Sequence, residues 1–282
     1  MNIQRLFILL ITATSLGACT TYNYTSQQFI PKDAGKLSQL KKMAPSYQTD
    51  NIEFVQADGA ISRGVSIHKP DAAFTVLYFM GSGIRVDANG ASIAKPFTEL
   101  NANFISFDYR GFGRSDAPDN AISLADLERD TLALYDHVRK TTPGKLVVHG
   151  HSFGSFIAAK LAGLRPLDAL VLEGTGTSAQ AYSDNLVPWF AKPFITVKLD
   201  QELLAIDNRV ALRDFKGPLM IINGTNDNQT PIGTARELFI SLNKSNKRFE
   251  EAHNAGHMNS MSKPETVKAY GEFISELNQS KQ

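Results

Sequence analysis

The sequence has little cysteine, little tryptophan and little net charge. Its 282 residues include one cysteine and one tryptophan, and the net charge is +1 at pH 7. A single cysteine cannot form an internal disulfide, so a disulfide framework is excluded. A nearly neutral chain argues against nucleic acid as the main partner. The remaining composition, 43% hydrophobic and 20% charged, is that of a globular protein whose length suits one domain.

The N-terminal segment differs from the rest of the chain. Residues 1–5 carry a positive side chain, an apolar run opens at Leu6, and the run ends in Leu16-Gly17-Ala18-Cys19. This order of features predicts a secretory signal peptide over residues 1–18. No later stretch of the sequence is apolar for long enough to span a bilayer.

The residues Leu16 to Cys19 resemble the lipobox of bacterial lipoproteins. In that family the chain is cut before the cysteine, and diacylglycerol is attached to its sulfur. The resemblance implies that Cys19 is lipidated and anchors the protein to a membrane. Thr20 stands where an aspartate can retain such proteins in the inner membrane, so the resemblance implies the outer membrane, facing the periplasm. A plain signal peptide, or a core helix with an incidental cysteine, is the alternative.

The rest of the chain predicts a tether followed by a folded domain. Residues 19–50 lack clear periodicity and predict a lipid-anchored tether, which leaves residues 51–282 for the domain. In the domain, an alternating pattern on both sides of Asp58-Gly59 predicts an edge hairpin. Apolar runs then predict buried strands at Phe74–Met80, Phe104–Phe107, Leu146–Val148, Ala169–Leu172 and Leu219–Ile222.

Helical periodicity lies between these strands, for example after the capping residue Ser123 and over 264–277 at the C-terminus. Alternation of strands and helices predicts an α/β fold, with a mostly parallel sheet and helices on both faces.

One serine stands between a predicted strand and a predicted helix. The run from Leu146 leads into Gly150-His151-Ser152-Phe153-Gly154, a Gly-x-Ser-x-Gly motif, and a helical apolar pattern follows at once. Small residues on either side let strand and helix approach each other at a tight turn. A serine at such a turn is a candidate nucleophile, but it needs a histidine base and an acid that orients the histidine.

Two later loops supply those partners. Asp227 follows the strand that ends at Ile222, and His257 follows a short strand near Phe249. The order Ser152, Asp227, His257 and their places after strands resemble the α/β-hydrolase family. The resemblance implies that these three residues are catalytic. Glu173, at the end of the neighbouring strand, is the alternative acid.

The same resemblance implies an oxyanion hole made of two backbone N–H groups. One is that of Phe153, and the other comes from the loop after Phe79, with Ser82 preferred and Gly83 as the alternative. The family usually has His-Gly where this chain has Met80-Gly81. Methionine cannot make the hydrogen bonds of that histidine, so the sequence departs from the family pattern at this loop.

Residues 174–216, between the sixth and seventh predicted strands, exceed the length of a usual crossover. One interpretation is a small cap over the serine, whose aromatic residues line an acyl pocket. The other is a longer crossover helix packed on the sheet. The insertion carries Tyr182, Trp189, Phe190, Phe194 and Leu203.

The resemblance implies a serine hydrolase that cleaves an ester or thioester of a small to medium apolar acyl group through an acyl-enzyme. The expected partners are a small acyl substrate and the membrane, without nucleic acid, metal or organic cofactor. Peptidases, lipases and acyltransferases use the same set of residues. The alternative from another class is a membrane-tethered binding or assembly lipoprotein that keeps the fold without turnover.

Overall fold

The structure is a computed structural model, which describes residues 20–25, 40–41, 44–117, 122–187 and 190–279. The predicted signal peptide and Cys19 lie outside these residues. The described strands are β1 (Thr20–Tyr24), β2 (Gln48–Val55), β3 (Ile61–His68), β4 (Phe74–Phe79), β5 (Ala102–Phe107), β6 (Leu146–His151), β7 (Ala169–Glu173), β8 (Ile195–Leu199), β9 (Leu219–Gly224) and β10 (Lys247–Ala252).

Eight of the described strands form one sheet, in the order β10-β9-β7-β6-β4-β5-β3-β2. Six of them, from β10 to β5, run parallel. β3 is antiparallel to β5, and β2 is antiparallel to β3, so the predicted edge hairpin is confirmed. Every residue of β4, β6, β7 and β9 is buried, as expected of strands covered on both faces.

Helices cover both faces of this sheet. The described helices are α1 (Val86–Glu99), α2 (Leu124–Thr141), α3 (Phe153–Leu164), α4 (Ala179–Leu186), α5 (Gln201–Leu204), α6 (Asn208–Ala211), α7 (Ile232–Ser241) and α8 (Pro264–Gln279). Side chains of α2, α3 and α7 fill the core on one face, and those of α1 and α8 fill it on the other. The predicted α/β class, with helices on both faces of a mostly parallel sheet, is confirmed. No described helix is long and apolar enough to cross a membrane.

Ser123 begins α2 as its sequence position predicts. Its hydroxyl accepts a hydrogen bond from the N–H of Asp126 at 3.1 Å, and the Asp126 carboxylate accepts one from the N–H of Ser123 at 3.1 Å. This reciprocal capping satisfies two donors at the helix start and fixes the point where the chain turns back onto the sheet.

The prediction of a plain tether over residues 19–50 needs correction where the structure describes this segment. Thr20–Tyr24 forms β1, which pairs in parallel with β8. Leu40, Ala44 and Tyr47 are buried in the core beside α1 and α8, and β2 begins at Gln48. The folded domain therefore begins before residue 51. The physical reason is that a few apolar side chains of this segment pack into the core. Their positions in the sequence follow neither a helical nor a strand period, so the pattern gives no sign of their burial.

The insertion between β7 and β9 is more than one long crossover helix. It contains α4, β8, α5 and α6, and β8 forms a separate two-stranded sheet with β1. Phe190 and Phe194 are 62% and 52% exposed, so these two side chains do not line a closed pocket. Trp189 lies outside the described residues. The end of the insertion packs on the core, because α6 contacts α3.

Candidate active site

Ser152 lies at a sharp turn between β6 and α3. Its backbone has φ 55° and ψ −121°, a conformation that side-chain-bearing residues rarely adopt. A Cβ atom on Gly150 would collide with the carbonyl of Gly154, and one on Gly154 would collide with the carbonyl of Phe79. Both motif glycines are therefore required by close approach of strand and helix, and the turn lifts the serine above the sheet.

The backbone strain at Ser152 predicts a measurable effect on stability. Replacing Ser152 with glycine is expected to raise the free energy of unfolding by about 1 kcal/mol relative to Ser152→Ala, because glycine adopts a positive φ without steric cost. Urea denaturation of both variants measures this difference. Lys160→Gly, at an exposed position within α3, is the control, and it should lower stability by about 1 kcal/mol. Equal stability of the glycine and alanine variants at residue 152 would contradict the strain.

The structure brings Ser152, His257 and Asp227 together although they are far apart in sequence. The Ser152 hydroxyl lies 2.8 Å from Nε2 of His257, and Nδ1 of His257 lies 2.8 Å from Oδ2 of Asp227. A carboxylate can only accept, so Nδ1 carries the proton and Nε2 is free to accept the serine proton. This arrangement can deprotonate the hydroxyl as it attacks a carbonyl carbon.

Asp227 is held by several donors besides His257. Its Oδ1 accepts hydrogen bonds from the N–H groups of Gln229 at 2.8 Å and Thr230 at 2.9 Å, and its Oδ2 accepts one from the Thr230 hydroxyl at 2.7 Å. Burial raises the pKa of Asp227, but these bonds and the proximity of His257 outweigh burial, so the net pKa is lowered. The carboxylate therefore stays ionised and fixed in direction.

His151, inside the serine motif, holds the loop that carries His257. Its Nε2 donates to the backbone carbonyl of His257 at 2.8 Å, and the two rings lie 5.0 Å apart. Burial lowers the pKa of His151, although the charge of Glu173 acts in the opposite direction. A neutral His151 can keep this contact without placing a second positive charge beside His257.

The loop after β4 lies beside the serine. A Cβ atom on Gly81 would lie 3.2 Å from Cβ of Ser152, so the backbone of Gly81 and Ser82 passes next to the nucleophile. Phe153, the first residue of α3, lies at the positive end of the helix dipole. Phe153 and Gly81, the neighbour of Ser82, are thus close to Ser152, and the role of Phe153 and Ser82 as oxyanion donors stays a prediction.

The loop that begins at Met80 is held by hydrogen bonds from other side chains, although methionine replaces the family's histidine. Its side chain is buried in the core, and its backbone carbonyl accepts a hydrogen bond from the Tyr109 hydroxyl at 2.9 Å. The guanidinium of Arg85 donates to the carbonyls of Ser82 and Ile84 and lies 4.1 Å from the ring of Phe112. The loop is therefore fixed through its carbonyl groups, which accept hydrogen bonds from the side chains of Tyr109 and Arg85.

Glu173, the alternative acid, faces a different histidine. Its Oε2 lies 3.1 Å from Nε2 of His149, and both side chains are buried. Burial raises the pKa of Glu173, but the hydrogen bond from His149 and the neighbouring histidine charges outweigh it and lower the net pKa. The structure therefore places Asp227, not Glu173, against the ring of His257.

The sequence interpretation missed three residues that support the site: Thr230, Tyr109 and Arg85. Thr230 lies three residues after Asp227, a spacing at which a threonine can bond back to an aspartate. Tyr109 stands in a Gly-rich turn after β5, and no local pattern in the sequence indicates its contact with Met80 in the loop after β4. Arg85 had no sequence signal, because its partners are main-chain carbonyls. Within the described ranges, no group of three His, Cys, Asp or Glu side chains is placed to hold a metal ion.

Comparison with known proteins agrees with this architecture. Residues 75–201 match the family described as serine aminopeptidase, S33. The uncharacterized protein YfhR of Escherichia coli K12 is 24% identical over 224 residues, which cover 77% of this chain and 76% of YfhR. The lysophosphatidylserine lipase ABHD12 of Danio rerio is 27% identical over 179 residues, which cover 58% of this chain and 46% of the lipase.

A solved structure shares the whole fold. An esterase of Pyrococcus furiosus superposes with a TM-score of 0.71 at 18% identity, covering 88% of this chain and 96% of the esterase. The likeness lies in the fold, since so low an identity carries little information about the substrate. Together with the sheet order and the serine turn, these similarities show that the chain has the α/β-hydrolase fold, and over residues 75–201 it resembles the hydrolase family described as serine aminopeptidase, S33.

Proposed function

We propose that this hydrolase is a serine hydrolase, which cleaves an ester or thioester of a small to medium apolar acyl group through an acyl-enzyme. The single observation that carries the proposal is the continuous contact from Ser152 through His257 to Asp227, with both hydrogen bonds at 2.8 Å. In this mechanism Ser152 attacks the carbonyl carbon while His257 takes its proton. His257 then returns the proton to the leaving group, and Asp227 orients the ring.

The developing oxyanion needs donors that are already in place. Backbone N–H groups of Phe153 and Ser82 fill that role in the proposal, because Phe153 follows the nucleophile and the loop of Ser82 passes beside it. Water then attacks the acyl-enzyme by the same route, with His257 again as the base. No step of this mechanism requires a metal ion or an organic cofactor.

An apolar groove supports the choice of an apolar acyl group. The groove has a volume of about 290 Å³ and lies between α2, α3 and the end of the insertion. Its apolar lining includes Leu132, Phe156, Ile157, Leu161 and Val210. None of the three proposed catalytic residues lines it. Phe156, which lines the groove, follows Ser152 by about one helical turn in the sequence, and in the proposal the acyl chain reaches the groove along this helix.

One relative supports an ester over a peptide in this proposal, although the matching family is described as an aminopeptidase. ABHD12 of Danio rerio, 27% identical over 179 residues, is a lysophosphatidylserine lipase. A lipid anchor at Cys19 completes the proposal, because the lipobox resemblance implies attachment to the bacterial outer membrane, facing the periplasm. An ester of a membrane-derived acyl group would then be within reach of the site.

A fluorophosphonate probe tests the proposed chemistry, since it reacts only with an activated serine. The full-length protein is incubated with the probe, digested, and mapped by mass spectrometry. We expect the modification on the peptide that carries Ser152. Absence of labelling from the folded protein, or labelling of another residue, overturns the serine hydrolase and favours the binding or assembly lipoprotein instead.

Esters of graded acyl length test the apolar acyl group. If the chain enters the groove, each added methylene should raise kcat/KM by about fourfold, because burial of one CH₂ contributes about 0.8 kcal/mol. The rise should stop when the groove is full. Kinetics with acetyl to decanoyl esters of one leaving group measure this dependence. A flat series, with equal rates on the matched peptide anilide, would contradict the acyl preference.

A further inference from the structure

Two phenylalanine side chains of the insertion face solvent. Phe190 is 62% exposed and Phe194 is 52% exposed, and the exposed Lys192 and Lys198 lie in the same segment. From residue 187 to residue 199 the sequence contains no aspartate or glutamate. We call Phe190, Lys192, Phe194 and Lys198 the aromatic-basic patch.

The packing of this segment comes from other side chains. Val187, Ala191 and Ile195 are buried together, and Tyr22 of β1 and Val197 of β8 pack against them. Along β8 the buried or half-buried positions alternate with exposed ones, which puts Lys198 on the outer face. None of the four patch residues belongs to this small core.

The parallel pairing of β1 and β8 fixes where the chain enters the folded domain. Thr20 pairs with Ile195, and both strands run in the same direction from this end. Phe194 directly precedes Ile195 in the sequence, and Cys19 directly precedes Thr20. The proposed lipid anchor is therefore attached to the chain at the end of the small sheet where the aromatic-basic patch begins.

A phospholipid bilayer is the partner that fits this arrangement. Aromatic side chains insert at the boundary between headgroups and acyl chains, and lysine ammonium groups are attracted to anionic phosphates while their stems cover apolar surface. An anchor at the same end holds the patch at the membrane surface at high effective concentration. We infer that the aromatic-basic patch docks on the bilayer that holds the anchor. This inference rests on the proposed lipid anchor and not on the proposed chemistry of Ser152.

Docking through the patch would orient the candidate active site. The ends of the insertion are tied to the serine helix: the Ser155 hydroxyl donates to Oγ1 of Thr175 at 2.9 Å, and the Asn208 amide donates to the same oxygen at 3.1 Å. The insertion thus connects the patch to the helix that follows Ser152, so docking through the patch would fix how the candidate active site is oriented relative to the membrane.

The test compares lysine reactivity on membrane-bound protein. The full-length lipoprotein is reconstituted into vesicles of phosphatidylethanolamine with a minor fraction of phosphatidylglycerol, and treated with a membrane-impermeant acetylating reagent. Lys268, whose side chain is 80% exposed on α8, is the internal control on the same molecules. We expect Lys192 and Lys198 to react about tenfold more slowly than Lys268, and the Phe190→Ser, Phe194→Ser double variant to lose this difference.

Every other outcome overturns the inference. Equal reactivity of the patch lysines and Lys268, or failure of the protein to float with the vesicles, excludes docking. Protection that appears without vesicles and grows with protein concentration shows a second copy on the patch instead. Labelling of Ser152 by the fluorophosphonate probe in the double variant shows that its fold is intact, and it separates failure of docking from failure of the proposed chemistry.

A second measurement needs no substitution. Trp189 is the only tryptophan of the chain and directly precedes Phe190. Brominated acyl chains in the vesicles should quench its fluorescence if the patch enters the interface. Fluorescence that stays unchanged between brominated and ordinary vesicles overturns the inference.

Discussion

Replacement of Ser152 by alanine is expected to lower kcat for ester hydrolysis by about 10⁶-fold. The proposed acyl-enzyme forms on the Ser152 hydroxyl, and His257 then has no group to deprotonate. Residual turnover would come only from binding and from the N–H donors near the site, which still stabilise the attack of water on the ester. Initial rates with a chromogenic ester, measured against enzyme concentration over several decades, give the ratio.

The control measurement for Ser152→Ala is its free energy of unfolding, which shows whether the variant is folded. Alanine keeps the backbone and Cβ of serine, and the N–H of residue 152 can still donate to the carbonyl of Glu173, a bond of 2.8 Å in the present structure. We therefore expect a change in the free energy of unfolding below about 1 kcal/mol. A variant that retains more than about one hundredth of the wild-type kcat while folded would remove Ser152 from the mechanism.

The framework of this fold could be predicted from the sequence because its central strands are apolar on both faces. Runs such as Leu219–Ile222 have few other interpretations when helical periods stand between them. The strand β1 could not be predicted in this way. Tyr22 and Tyr24 alternate with Thr21 and Asn23 over only five residues, and the pairing partner β8 lies in an insertion far along the chain. A short pattern that depends on a distant partner gives too little local signal.

The residues of the candidate site also fall into those that could be predicted from the sequence and those that could not. Ser152, Asp227 and His257 could be predicted because each follows a strand at a position where the fold exposes side chains. The residues that support them act through the backbone: His151 donates to the carbonyl of His257, and Arg85 to that of Ser82. Main-chain carbonyls are present at every position, so no residue type in the sequence marks their donors in advance.

Replacement of Asp227 by asparagine is expected to lower kcat by about 10⁴-fold, a loss of the size known for the equivalent change in serine proteases. The amide would turn a nitrogen or an uncharged oxygen toward Nδ1 of His257. The Thr230 hydroxyl, 3.2 Å from Nδ1, can then donate to that atom and favour the tautomer with the proton on Nε2. A protonated Nε2 cannot accept the proton of Ser152, so the general base is lost although all three side chains remain in place.

Glu173→Gln is the matched control, because Glu173 is the other carboxylate near these histidines. Its contact is with His149 at 3.1 Å, and its influence on His257 acts only through space. We expect Glu173→Gln to change kcat by less than about tenfold, with its main effect on stability, since a buried hydrogen-bonded charge is removed beside His149. Stopped-flow or steady-state rates of both variants, taken where urea denaturation shows them folded, measure the contrast. A nearly active Asp227→Asn with an inactive Glu173→Gln would transfer the role of the acid to Glu173, and would require the ring of His257 to turn away from the carboxylate it contacts at 2.8 Å.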